Sequence, residues 1–425
     1  MTASKKKNKS IQSEINIGLV GHVDHGKTTL VEALSGEWTD RHSEEKRRGI
    51  SIKLGYADTV FMKCPSCPEP DCYTTEFLAE DGKKCPKCGA DLEVLRRVSF
   101  VDAPGHEVLM ATMISGAALM DGAVLVIAAN EQCPQPQTRE HFASLKITQV
   151  SNVVITQNKI EIVPKERAIE NYKQIHNFIE DKIEAPIIPI SAIHKANIDL
   201  VIQSIEKNIP TPKRKVNVSP LMWIARSFDI NRPGSTADEL MGGVVGGSIS
   251  RGKLKVGDEI MILPGLPDKE NPGEYIPLTT EITSLTVGNE FIDEAGPGGL
   301  IGVGTKLDSS ITKADSLIGN VLGYKDKLPP LRYELKMDVH LLDRVVGLKT
   351  TADQKMMKVK NLKTNEKLML NIGASTLVGV ITSINKYRTI VKLIKPVCCE
   401  QGDRVAISRL IKQRWRLIGY GVIKE

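Results

Sequence analysis

Ten residues near the start of the chain, GHVDHGKTTL (Gly21–Leu30), limit its fold more than any other stretch. The first eight match G-x-x-x-x-G-K-[ST], between an apolar β-branched run, INIGLV, and a stretch with helical spacing. A strand that turns at once into a helix needs glycine where the backbone tightens, and the loop then aims its N–H groups at one point. The helix N-terminus adds partial positive charge at the same place, so a polyoxygen anion fits there. Lys27 supplies a cation for β- and γ-phosphates, and the Thr28 hydroxyl offers an oxygen to Mg²⁺. Asp24, His25, Gly26, Lys27, Thr28 and Thr29 are the expected phosphate-binding residues.

The surrounding pattern agrees. From about Ser13 to Asn208 the runs INIGLV, VSFVDA, AVLVIAA, NVVITQ and IIPIS alternate with helical patterns near Lys27–Ser35, Leu109–Met120, Thr138–Ile147, Lys165–Lys182 and Asn197–Lys207. Continuous apolar strands alternating with helices predict an α/β domain, its mostly parallel sheet covered on both faces. An excursion from about Phe61 to Arg97 interrupts the order. IPTPKRKVNVSP (Ile209–Pro220), with three prolines and a basic cluster, reads as a linker. Beyond it, short strands separated by Gly, Pro and Asp turns predict β-barrels, with a second break at KDKLPPLRY (Lys325–Tyr333). The expected division is a basic tail over 1–12, a nucleotide-binding domain over 13–209 with its insert near 61–97, a linker over 210–219, and all-β barrels over 220–328 and 329–425.

Composition is compatible with this. A chain of 425 residues with 41% hydrophobic and 25% charged residues has material for several cores. It has no apolar run long enough to span a bilayer, and no hydrophobic segment follows the basic MTASKKKNKS, so neither a membrane span nor a secretory signal is expected. The net charge of +6 permits a polyanionic partner without requiring one. Four of the eight cysteines form two C-x-x-C pairs, a pattern suited to a reducing, cytoplasmic compartment and a metal.

Open α/β sheets bind ligands beyond the carboxyl ends of their strands, and further motifs stand at those places. Asp102-Ala103-Pro104-Gly105 follows VSFV, offering a carboxylate to the Mg²⁺ water shell and a glycine N–H near the γ-phosphate. Asn158-Lys159-Ile160-Glu161 follows VVITQ, and Ser191-Ala192-Ile193 follows IIPI. Together GHVDHGKTTL, DAPGH and the N-K-x-carboxylate motif resemble the G domain of translational GTPases. The resemblance implies that Asn158 and Glu161 recognise guanine, that Lys159 packs on the base, and that Ser191, Ala192 and Ile193 support it. It implies that EEKRRGISI (Glu44–Ile52) is the first switch, with Ser51 ligating Mg²⁺ in the triphosphate state, and that His106 orients the attacking water. Ser51 stands where the family more often has Thr and keeps the oxygen. Glu161 stands where the family has Asp, so guanine is still expected over adenine, with weakened affinity.

In the insert, Cys64-x-x-Cys67 and Cys85-x-x-Cys88 are separated by seventeen residues, the spacing of a zinc ribbon. Four thiolates make a closed structural Zn²⁺ site; Cys72 is a fifth thiol that could replace Cys67. With IKLGYAD, the segment Arg96–His141, PKRKVNVSPLMWIARSFDINRPG and RWRLIGYGVI, the insert closely resembles the gamma-subunit family of archaeal-type translation initiation factor two. That resemblance covers essentially the whole chain. It implies a G domain and two β-barrels, the core of a heterotrimer with alpha and beta subunits. It further implies that the GTP state binds methionylated initiator tRNA and delivers it to the small ribosomal subunit, with hydrolysis to GDP and phosphate for release. Asp24 and Gly49 match positions where some members hold a second Mg²⁺. Arg226, Arg232 and Arg251 are basic positions open to tRNA. The alternatives are a GTP-dependent aminoacyl-tRNA carrier of the elongation-factor type, the GTPase that accompanies ATP sulfurylase, and a GTP-dependent binding module with negligible hydrolysis; the zinc insert argues against the first two and His106 against the third.

Overall fold

The computed structural model describes residues 12–39, 54–103, 110–180, 182–231, 234, 236, 240–288, 290–346, 357–385 and 388–425. The first domain runs β1 (Ile15–Gly21), α1 (Lys27–Ser35), β2 (Gly55–Lys63), β3 (Tyr73–Thr75), β4 (Glu93–Asp102), α2 (Met110–Ala117), β5 (Gly122–Ala128), α3 (Pro136–Ile147), β6 (Val153–Asn158), α4 (Lys165–Ile179), β7 (Ile187–Pro189) and α5 (Ile198–Asn208). Its sheet has the order β3-β2-β4-β1-β5-β6-β7. Strands β4, β1, β5, β6 and β7 are parallel, and they are the five apolar runs read from the sequence. The outer strand β2, antiparallel to β4, carries the chain into the insert.

Strands β1, β5 and β6 are buried along their whole length because helices cover both faces. Alternate side chains serve two cores. Val124 and Val126 join Leu30, Leu34 and Ile202 under α1 and α5, whereas Leu125 and Ile127 join Phe142, Leu145 and Ile175 under α3 and α4.

Two closed six-stranded barrels follow, as the change of texture predicts. The second domain closes through Leu221–Phe228, Val244–Arg251, Ile301–Thr305, Tyr275–Val287, Glu259–Pro267 and Val321–Gly323, the last pairing back to the first. The third closes through Leu331–Leu341, Thr389–Cys398, Ser375–Ile384, Lys367–Ile372, Arg404–Ile411 and Arg414–Ile423. Closure pairs each of the six strands in each barrel on both sides, which suits strands too polar on one face to be buried twice.

The domains are joined by polar contacts. Arg214, in the proline-rich segment, pairs with Asp121 at 2.6 Å, and Asn16 of β1 donates to Ser248 Oγ at 3.0 Å. Helix α3 faces the third domain, where Arg416 meets Glu140 at 2.9 Å with both side chains buried. Among the described residues, no helix is long and apolar enough to cross a membrane.

Candidate nucleotide and metal sites

The loop between β1 and α1 is shaped by backbone conformation. Gly26 precedes the helix with φ +88°, and a β-carbon there would lie 2.3 Å from Asn158 Nδ2. Asp24 is also left-handed, at φ 59°. Lys27 Nζ donates to the His22 carbonyl at 2.7 Å, which puts the ammonium across the loop's own ring. Thr28 lies in the first turn of α1, and its Oγ1 donates to Asp102 Oδ2 at 2.6 Å from the end of β4. Thr39 Oγ1 donates to the same oxygen at 2.7 Å. Two hydroxyls and a carboxylate thus converge beside the loop, a hard-oxygen set suited to Mg²⁺.

Asn158, at the end of β6, ties two loops together. Its Nδ2 donates to the His25 carbonyl at 3.0 Å and its Oδ1 accepts from Ala192 N at 3.0 Å. The phosphate loop and the Ser191–Ile193 turn are thereby held by one amide. Lys159 follows with φ 64°, and Glu161 sits exposed in the single turn Ile160–Ile162. Ser191 is buried, whereas Ile193 is 68% exposed. Gly49, Ser51, Gly105 and His106 lie outside the described residues, as does Arg232. Arg226 faces Asp315 at 3.0 Å and Arg251 faces Glu400 at 2.7 Å, so both have carboxylate partners.

Behind the loop lies a layer of three histidines, of which sequence reading singled out His25 alone and missed His141. His141 of α3 is buried, and its Nδ1 accepts from Gly21 N at 2.9 Å, which fixes the neutral ring with its proton on Nε2. Burial, reinforced by Lys27, keeps its pKa well below the usual range. His25 reaches Val126 O at 3.1 Å and Glu131 Oε2 at 3.3 Å, and that hydrogen bond holds the Glu131 carboxyl below its usual value. Burial and the neighbouring His25 lower His22 to about 4. For His141 the only sign in the sequence was a histidine inside an otherwise ordinary helix. Thr39, in EWTD, gave no sign at all.

The four paired cysteines meet in the insert. The sulfurs of Cys64 and Cys88 are 3.4 Å apart, Cys67 and Cys88 3.5 Å, and Cys67 and Cys85 3.8 Å; all four lie within 4.8 Å of one another. Tetrahedral zinc with Zn–S bonds of about 2.3 Å requires sulfurs about 3.8 Å apart, so the donor set and its spacing fit. Cys72 is outside this cluster, buried in the core with α1 and α5.

Comparison with known proteins separates this chain from other nucleotide-binding proteins. Residues 12–211 match the elongation factor Tu GTP-binding domain, 242–323 match elongation factor Tu domain 2, and 333–423 match the C-terminal region of initiation factor eIF2 gamma. The translation initiation factor 2 subunit gamma of Pyrococcus abyssi is 57% identical over 99% of this chain and 100% of its own length. The chain belongs to the translation initiation factor 2 gamma-subunit family. The subunit gamma of Methanocaldococcus jannaschii is 56% identical over 99% of both chains. In fold, the chain is similar to a bacterial selenocysteine-specific elongation factor (TM-score 0.72, 23% identity, 97% of this chain and 58% of that longer one). It is also similar to elongation factor SelB of Methanococcus maripaludis with a GTP analogue (TM-score 0.70, 23% identity, 98% of this chain and 80% of that one). Membership of the initiation factor 2 gamma-subunit family makes this chain a GTPase of translation initiation, for which GTP, GDP and Mg²⁺ are the implied ligands.

Proposed function

We propose that this chain, as the gamma subunit of a heterotrimer with alpha and beta subunits, binds methionylated initiator tRNA in its GTP state. It delivers the tRNA to the small ribosomal subunit in the cytoplasm, and hydrolysis to GDP and phosphate releases it. The observation that carries this reading is the convergence of Thr28, Thr39 and Asp102 beside a phosphate loop locked to the Ser191–Ile193 turn by Asn158. That arrangement brings the phosphate loop, a hard-oxygen cluster and the turn read as the base support into one contiguous site. Asp24 to Thr29 bind the phosphates, with Lys27 placing its charge at the β- and γ-groups. Mg²⁺, when bound through Thr28, Ser51 and the water shell of Asp102, offsets charge on the triphosphate; Asp24 and Gly49 are the residues for a second ion. Asn158, Lys159 and Glu161 hold the base, with Ser191, Ala192 and Ile193 behind it. In this reading Gly105 contributes a backbone N–H to the γ-phosphate, and His106 has the role of orienting the attacking water. Phosphoryl transfer asks the protein for position and charge rather than covalent chemistry, which such groups supply. Ordering of two loops by the γ-phosphate, and their release on hydrolysis, is the switch. Cys64, Cys67, Cys85 and Cys88 hold a structural Zn²⁺.

The test is protection of methionylated initiator tRNA from deacylation by the chain with a non-hydrolysable GTP analogue, alone and with the alpha subunit. Elongator methionyl-tRNA is the control. Selective protection of the initiator is expected. Equal protection of both would indicate an elongation-type carrier, and protection of neither, with alpha present, would sink the tRNA reading.

A further inference from the structure

We propose that the cysteine ribbon is a brace for the nucleotide site, acting through Phe77, so that its metal state sets how tightly guanine nucleotide is held. The proposal rests on the zinc reading given above and extends it to this chain's own residues. Phe77 lies in the ribbon between Cys72 and Cys85 and is 45% exposed. Its ring lies against the α-carbon of Gly36, the residue that ends α1, where a β-carbon would approach ring atoms to 2.4 Å. The Lys195 ammonium stands 4.5 Å from the centre of the same ring. Lys195 closes the turn begun at Ser191, its N–H donating to Ala192 O at 3.3 Å. One aromatic ring therefore touches the far end of the phosphate-loop helix and the turn assigned to the base.

The ribbon is also anchored along the helix that follows that turn. Lys87, next to Cys88, bonds to Asp71 within the ribbon and reaches Asp199 of α5 at 3.3 Å. Glu69 accepts from Gln203 at 2.8 Å and from Lys207 at 3.0 Å, both on α5. Inside, Cys64 and Cys85 belong to the same continuous core as Leu30 and Leu34 of α1 and Ile198, Val201 and Ile202 of α5. A closed metal site is what makes so short a segment rigid, because the ribbon has little apolar core of its own. A rigid ribbon holds α1 and the base turn at a fixed separation; a loosened one leaves them joined on this side only through the sheet.

The test is the dissociation rate of a fluorescent GDP analogue from the full chain, with zinc counted by colorimetric release. Phe77→Ala is expected to speed dissociation about three- to tenfold, the range for losing one aromatic and cation–π contact. Zinc content and thermal midpoint should stay at wild-type values, and Phe77→Tyr should keep the wild-type rate. Wild-type protein stripped of zinc by a chelator should release nucleotide as fast as Phe77→Ala, and stripping the variant should add nothing. An unchanged rate in Phe77→Ala, or a stripped wild type that holds GDP as before, overturns the brace. Purified chain without zinc overturns the metal reading alone, and the Phe77→Ala rate then still decides whether the ring is a brace.

Discussion

At Gly26 the phosphate loop packs directly against the base side. This glycine has a left-handed φ, and its α-carbon faces the Asn158 amide so closely that no side chain fits. Gly26→Ala therefore strains the backbone and pushes Asn158 off the His25 carbonyl. GDP affinity is expected to fall about 10- to 100-fold, measured by equilibrium titration. The histidines behind the loop give a pH dependence of known sign. His22, lowered from 6.5 to about 4, stays neutral in the fold while the unfolded chain protonates near 6.5. The unfolded state thus binds more protons between these values, and stability rises with pH across that window. His22 gives its full contribution above pH 6.5 and loses it as the pH falls to about 4. His22→Gln should flatten this limb in thermal melts from pH 4 to 7; an unchanged slope would mean that His22 is protonated in the fold.

At the scale of elements, the clearest discrimination concerns the fifth thiol of the ribbon. Cys72 is packed into the core with its N–H on Pro68 O and its carbonyl accepting from Cys64 N, whereas Cys88 is exposed and part of the sulfur cluster. Cys72→Ser should retain zinc at wild-type stoichiometry, and Cys67→Ser and Cys88→Ser should each lose it; the reverse for Cys72 and Cys67 would put Cys72 in the place of Cys67. This difference was half legible in the sequence, because C-x-x-C turns announce a pair of sulfurs that face one ion, but no spacing says where a lone cysteine points. The five parallel strands were legible for a related reason: a strand buried on both faces is apolar throughout. The antiparallel β2 was not, since GYADTVFMK mixes polar and apolar positions in a way that only its pairing with β4 explains. Thr39 and His141 share that limit. Their roles come from partners far away in sequence, Asp102 and Gly21, which local pattern does not encode.

Across the whole molecule, the three domains could be counted from the texture of the chain, but their contacts could not, and one contact deserves a measurement. Helix α3 carries His141 against the phosphate loop and, one residue earlier, Glu140 against Arg416 of the last barrel. Burial raises the Glu140 carboxyl to about 7, and the nearby Arg416 guanidinium limits the rise. Removing the arginine leaves a buried carboxyl whose charge nothing offsets, so its pKa in the fold rises further. The unfolded carboxyl titrates near 4.5, and stability falls with pH above that value until the folded group also ionises. In the native chain this fall ends near pH 7, whereas in Arg416→Met it continues. The variant should therefore be little weakened at pH 6 and weakened by about 1 kcal/mol at pH 8, one pH unit beyond the native value, read from denaturant unfolding. Adding Glu140→Gln to Arg416→Met removes the titrating group, and the growth of the deficit with pH should vanish. A deficit of equal size at both pH values would mean that Arg416 joins the domains by packing alone, with no electrostatic link through α3.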